Sequence, residues 1–310
     1  MMIMKTSNRS VVDKTGAAGF TLIELAVVIA TVAVLAALLL PALAGTRPNT
    51  QAMQCMENQR QLILAWQMYA QDNSDILPPN DYPYTTAVAR DGTVKNWVFG
   101  TMYRIIDAID APGLGRGIQV NPALTSLAPY NTNPAVYKCP ADTYLMQGFP
   151  RQRSVSMNGA VGTRWSTAAG MPYGGPGNGP IGSPVGDGWL VSPYNGSQTI
   201  WRTYGKITQM TKPGPSMTWI IMDENPQTIN DGSMAVCMQP YLVDYPANSH
   251  NGGAGLSFAD GHAEVHKWLD AFANPTLPSG ATGGPGSQPL PAPVPCQDLS
   301  YLQPRTSALR

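Results

Sequence analysis

The residues with the strongest chemical character lie in the C-terminal half of the chain. Asp223, Glu224, Asp231 and Asp260 are carboxylates, and His250, His262 and His266 are the only imidazoles among 310 residues. Asp223, Asp231 and Asp260 offer the oxygen donors that calcium takes, in sets of about six to eight. The chain has no dense Asp/Asn loop, so the fold would have to gather such a site. A transition metal would instead use His250, His262 and His266. The four cysteines, Cys55, Cys139, Cys237 and Cys296, contain no CxxC pair. Structural zinc sites usually carry close ligand pairs, so this spacing argues against one. In an exported chain the same cysteines allow two disulfides, with about three pairings open to them. There is no GxSxG and no HExxH, and the scattered acids make no glycosidase pair without geometry. No catalytic residue emerges. The expectation is a protein that is not an enzyme and carries no cofactor, with calcium as the candidate ion.

The most regular stretch is GLSFADGHAEVHKW, from Gly255 to Trp268. Asp260-Gly261 between two alternating runs predicts a hairpin with a two-residue loop, because such a turn needs positive φ. That loop pairs Ala259 with His262, Phe258 with Ala263 and Ser257 with Glu264. His262, Glu264 and His266 then share one strand face. His250 stands ten residues before Asp260. It is read as a hydrogen-bonding residue that holds the hairpin on the preceding helix.

The elements that must position these residues begin at the N-terminus. Lys5, Arg9 and Lys14 precede Gly19-Phe20-Thr21-Leu22-Ile23-Glu24, and the next twenty residues, Leu25 to Ala44, carry no charge. At 1.5 Å per residue such a run reaches about 30 Å, one hydrocarbon thickness. The basic flank predicts a cytoplasmic N-terminus and a body outside. Two processing readings arise. An ordinary secretory signal would be cut after Ala42-Leu43-Ala44. That reading leaves Glu24 unexplained, an acid at the mouth of an apolar helix. Beyond Gly45, Pro48 and Asn49, a second helix is predicted from Thr50 to Asp72, with Leu62, Trp66 and Tyr69 on its apolar face. Trp219 to Met222 reads as a buried strand. Residues 170–198 read as a Gly/Pro-rich loop. Lys plus Arg (19) balances Asp plus Glu (19), which leaves no basic surface for nucleic acid.

Gly19-Phe20-Thr21-Leu22-Ile23-Glu24 resembles the type IV prepilin signature, and His250 followed by Asp260-Gly261 resembles the H-X9-DG motif of prepilin-like proteins. Lys138-Cys139-Pro140-Ala141-Asp142, Ser154 to Gly159, Asp223-Glu224 and Ile229 to Gly232 fit the same resemblance in order. It implies cleavage after Gly19, methylation at Phe20, and a Glu24 that pairs with the N-terminal amine of a neighbouring subunit. It implies an α+β fold, a long N-terminal pilin-like spine helix packed on a mainly antiparallel β-sheet with long Gly/Pro-rich loops.

The domains expected are a leader (1–19), a transmembrane and assembly helix (20–48), an extracytoplasmic globular domain (49–273) and a flexible Pro/Gly-rich tail (274–310). The function implied is a structural subunit of a type II secretion pseudopilus or type IV pilus-like filament. It would sit in the inner membrane by a single pass, body in the periplasm, before extraction into a filament. Its partners would be copies of itself, related pseudopilins, the prepilin peptidase and an inner-membrane assembly platform. The alternative is an anchored or secreted module that binds glycans or other substrates, with Tyr173, Trp189 and Tyr194 as its aromatic site.

Overall fold

Thr21 opens the first helix through a reciprocal cap. The Thr21 N–H and Oγ1 each donate to Glu24 Oε2 at 2.8 Å, and the Glu24 N–H donates to Thr21 Oγ1 at 3.3 Å. This satisfies donors that the start of a helix leaves without intrahelical partners. The computed structural model describes residues 21–80, 95–102, 118–164, 182–191, 200–273, 275 and 290–310, with the backbone alone for 36–49, 118 and 189.

The helical run α1 (Leu22–Asp72) is shared between two units, Met1–Arg47 and Pro48–Arg310. This corrects the expected spine. In the second unit α1 packs on the sheet from Cys55 onward, and in the first unit every described side chain, from Thr21 to Leu35, is exposed. Among the described residues no helix is long and apolar enough to cross a membrane. The transmembrane segment and the single-pass inner-membrane location are therefore corrected.

In the second unit, Cys55, Gln59, Leu62, Ile63, Trp66 and Ala70 of α1 are all buried. They recur at helical spacing and so form one stripe. The helix ends in a turn in which Ser74 and Asp75 adopt positive φ, and the Asn73 side chain donates to Tyr69 O at 2.7 Å.

The sheet that receives this stripe has five strands in the order β5-β3-β4-β7-β8. They are β3 (Val155–Asn158), β4 (Trp219–Asp223), β5 (Ser233–Met234), β7 (Gly253–Phe258) and β8 (Ala263–Lys267). The β3–β5 pair is parallel and the other three pairs are antiparallel, so the sheet is mixed. Two small antiparallel pairs lie outside it: the hairpin of β1 (Leu145–Met146) with β2 (Phe149–Pro150), and the long-range pair of β6 (Tyr241–Leu242) with β9 (Leu290–Pro291). Successive residues of a strand point to opposite faces, and β7 divides accordingly. Ala254, Leu256 and Phe258 join a core with Trp219, Trp268, Phe272 and Leu302. Gly255 and Ser257 meet α1, where Ser257 Oγ donates to Gln59 Oε1 at 3.2 Å. A second core joins Leu62, Ile63 and Trp66 to Val155, Met157 and Ile221.

The β7–β8 hairpin differs from its expected register by one residue. Ser257 pairs with Ala263 and Leu256 with Glu264, around a three-residue loop of Ala259, Asp260 and Gly261. Gly261 takes φ +99° and its N–H donates to Phe258 O at 2.9 Å. A one-residue slip reverses the face of every side chain on the strand. His262, Glu264 and His266 therefore face the Phe258 side of the sheet instead of α1.

The C-terminal segment corrects a second expectation. Residues 297–306 form helix α2 (Gln297–Thr306), which buries Leu299 and Leu302. The Trp219 indole N–H donates to Thr306 Oγ1 at 2.8 Å, and Leu309 bridges to Trp201. The expected flexible tail is thus, over residues 290–310, part of the packed body.

Candidate functional site

Four ligand-type side chains from four separate stretches meet beneath α1. Cys55 projects from the buried stripe of the helix. Asp223 ends β4. Cys139 follows a short 3-10 turn, Pro134–Tyr137, and its N–H donates to Ser154 Oγ at 2.7 Å. His250 sits in the turn before β7, with its N–H donating to Gly253 O at 3.0 Å and with Asn251 and Gly252 at positive φ. The Gln51 and Asn58 side chains of α1 donate to Pro140 O and Lys138 O, which fixes the Cys139 loop against the helix.

The donor atoms of these four residues lie within 4.8 Å of one another, and all four residues are buried. The Cys55 thiol donates to Asp223 Oδ2 at 2.9 Å. Cys139 Sγ is 3.1 Å from His250 Nε2, and the same nitrogen is 3.4 Å from Asp223 Oδ2. The Asp223 carboxylate also accepts from the Gly255 N–H at 3.0 Å and from Gln59 Nε2 at 3.3 Å.

Electrostatics follow from this crowding. The contact with Cys139 raises the Cys55 thiol well above its ordinary value, with burial and Asp223 adding. The same contact lowers Cys139, aided by His250 against the effect of burial. Burial pushes the His250 imidazole down, but its bonds to Asp223 and Cys139 outweigh that and raise it to about 10.

The arrangement is not a nucleophile relay. In a relay the thiol and the carboxylate would bond opposite nitrogens of the imidazole. Here both face Nε2, and Nδ1 has no hydrogen-bond partner. The donors converge on one point, which is the geometry of a coordination sphere.

The remaining expected site residues go elsewhere. Gly19 and Phe20 lie outside the described residues, as do Tyr173, Tyr194 and the Trp189 side chain. Glu24 caps its own helix, and its bonds to Thr21 hold its carboxyl below the usual range. Asp260 is on the exposed hairpin tip, 2.6 Å from His262 Nδ1. Asp231 is buried, and its Oδ1 accepts the Ser233 N–H at 2.7 Å. Asp223, Asp231 and Asp260 thus do not gather as a calcium site. The histidine trio does not gather either: His262 stacks on Phe258 and His266 on Tyr301. All four cysteines are free, so the expected disulfide is corrected too. Cys237 lies 3.8 Å from Leu190 O and Cys296 3.5 Å from Asp270 Oδ1.

Glu224 and Asp142 belong to a separate buried charge group. Arg151 Nη2 lies 4.0 Å from Asp142 Oδ2, and Arg153 donates to Asp231 O at 2.7 Å. Burial lowers the Arg153 guanidinium to about 10 and raises the Glu224 carboxyl well above its usual range. Beside this group a cleft of about 630 Å³ is lined by Gln54, Asn58, Lys138, Cys139, Arg151 and Gln152.

Residues 46–188 match the model of a family described as a protein of unknown function, DUF1559. No curated protein and no solved structure matches the chain. The matched stretch holds Cys55 and Cys139 and stops short of Asp223 and His250. The sequence reading named Cys55 and Cys139 for disulfides alone. Cys139, Asp223 and His250 each stand in a motif of the chain, but nothing in those motifs joins them to Cys55 or to one another as ligands.

Proposed function

We propose that the chain is a non-catalytic structural subunit of a pilus-like or pseudopilus filament. The observation that carries this reading is the apolar helix surface at the start of α1. Leu22 is 87% exposed, Ile23 74% and Val28 49%, and the surface continues to Leu35 at 60%. A helix apolar on all sides is stable in water only when covered, and each buried Å² of such surface contributes about 25 cal/mol. The cover proposed is the same segment of neighbouring copies and of related subunits, delivered by a prepilin peptidase and an assembly platform. The DUF1559 match is consistent with a pilin-like or extracytoplasmic protein. Cleavage after Gly19 and methylation of Phe20 belong to this proposal. Intact-mass analysis of the mature chain tests them, and a chain beginning at Gly45 would instead support the secretory reading.

The assembly claim is tested on the full chain with Val28→Asp and Val32→Asp combined. Cross-linking should show loss of the higher oligomers. Wild-type oligomers in the double variant would overturn the proposal. The cleft of about 630 Å³ beside Arg151 and Gln152 supports a second reading, capture of a glycan, which sugar-binding titrations on the same chain would detect.

A further inference from the structure

We propose that Cys55, Cys139, Asp223 and His250 bind one thiophilic divalent cation of the zinc class, as a structural centre that ties α1 to β4 and to the Cys139 and His250 loops. Two sulfurs, one imidazole nitrogen and one carboxylate oxygen form a complete tetrahedral donor set for such an ion. Calcium would need about six or more oxygens, and a single carboxylate beside two thiols selects a softer metal.

The distances fit. Zinc bonds of about 2.0–2.3 Å give tetrahedral edges of about 3.4–3.8 Å. Three contacts between donor atoms measure 2.9, 3.1 and 3.4 Å, and all the donors lie within 4.8 Å of one another. Small outward shifts of the short contacts, with inward shifts of the longer ones, open the cage. Four protein donors fill the tetrahedron and leave no position open, which marks a structural centre, although Cys139 also borders the cleft beside Arg151.

Supporting groups are in place around the donors. Asp223 is oriented by the Gly255 N–H and by Gln59, as carboxylate ligands commonly are. Gly255 also makes room. A Cβ there would stand 2.9 Å from Cys55 Sγ and 3.0 Å from Asp223 Oδ2. The ion takes the place of the protons held by the two thiols and by the His250 imidazolium, which leave to solvent on binding. The ligands come from four separate stretches, so they leave no close-paired signature in the sequence.

The test uses the full chain, purified in reductant, stripped with chelator and titrated with cobalt(II). One equivalent should bring up the visible bands of a tetrahedral cobalt site and a near-ultraviolet thiolate charge-transfer band. Zinc should then displace it. Cys55→Ser and Cys139→Ser should each about halve the charge-transfer band. Gly255→Ala should weaken binding roughly 10- to 100-fold. Cys237→Ser with Cys296→Ser should leave the spectrum unchanged. If the ligand variants do not fold, the wild-type spectrum still decides, since charge transfer from fewer than two thiolates contradicts the site. Three results would overturn the proposal: no cobalt bands in the reduced wild-type chain, loss of the bands in the Cys237/Cys296 variant, or a Cys55–Cys139 disulfide in protein isolated without reductant.

Discussion

Asp298→Ala should unfold the C-terminal segment at a cost that can be worked from its contacts. Asp298 is fully buried, and its carboxylate accepts three backbone N–H groups: Leu269 at 2.7 Å, Asp270 at 3.1 Å and Phe272 at 2.8 Å. Asp270 answers by accepting the N–H groups of Gln297 at 2.6 Å and Asp298 at 3.2 Å, which caps α2. The two carboxylates clamp α2 and the 269–272 turn together. Each hydrogen bond to a charged acceptor contributes about 1.5–3 kcal/mol, and three summed would exceed what single substitutions usually cost. Water entering the void recovers part, so the expected loss is about 3–5 kcal/mol. Asp298→Asn keeps the shape and one acceptor oxygen, and should cost about 1–3 kcal/mol. Urea unfolding followed by tryptophan fluorescence reads both, because Trp219 is bonded to Thr306 of the same helix. Hydrogen exchange should show α2 opening first. A loss below about 1 kcal/mol for Asp298→Ala would mean that the segment is not integral to the fold.

Three further outcomes are expected. Glu24→Gln preserves the acceptor that caps Thr21 but removes the charge; it should leave helix content unchanged and reduce cross-linked assemblies, and unchanged assembly would assign Glu24 to capping alone. Gly261→Val should lower stability by about 1–3 kcal/mol in thermal melts, because a β-branched residue resists the φ of +99° in the hairpin loop; a melt like the wild type would contradict the turn. Glu224 is raised by burial first, with Asp244 and Asp231 adding, so the folded state holds its proton longer than the unfolded chain and stability should fall as pH rises above about 4.5. Glu224→Gln should flatten that fall and be the more stable protein near neutral pH; equal slopes in urea titrations across pH would refute this.

The helical character of Thr50 to Asp72 was legible because helical period is a local property, but the break expected at Gly45, Pro48 and Asn49 is overturned, since α1 runs unbroken from Leu22 to Asp72. The strand Trp219 to Met222 was legible as a continuous apolar run, since β4 is buried on both faces. The Asp260-Gly261 turn was legible for the same kind of reason, but its loop length was not. Two or three residues in the loop are nearly equivalent locally, and distant contacts of β8, such as His266 stacked on Tyr301, favour the longer loop. That choice moved His262, Glu264 and His266 to the other side of the sheet. The C-terminal segment was misread because its composition is that of a mobile chain, whereas Leu302, Thr306 and Asp298 find partners far away in sequence.

Residue types and short-range periods determined the helical period of Thr50 to Asp72, a core strand and a tight turn near the end of the chain. Each depends on neighbours within a few positions, and a sequence displays those directly. The meeting of Cys55, Cys139, Asp223 and His250 was decided by tertiary structure alone. No one of the four stretches points to the other three. The packing of the α1 stripe on the sheet brings them together, and the absence of a Cβ at Gly255 lets Cys55 and Asp223 approach each other.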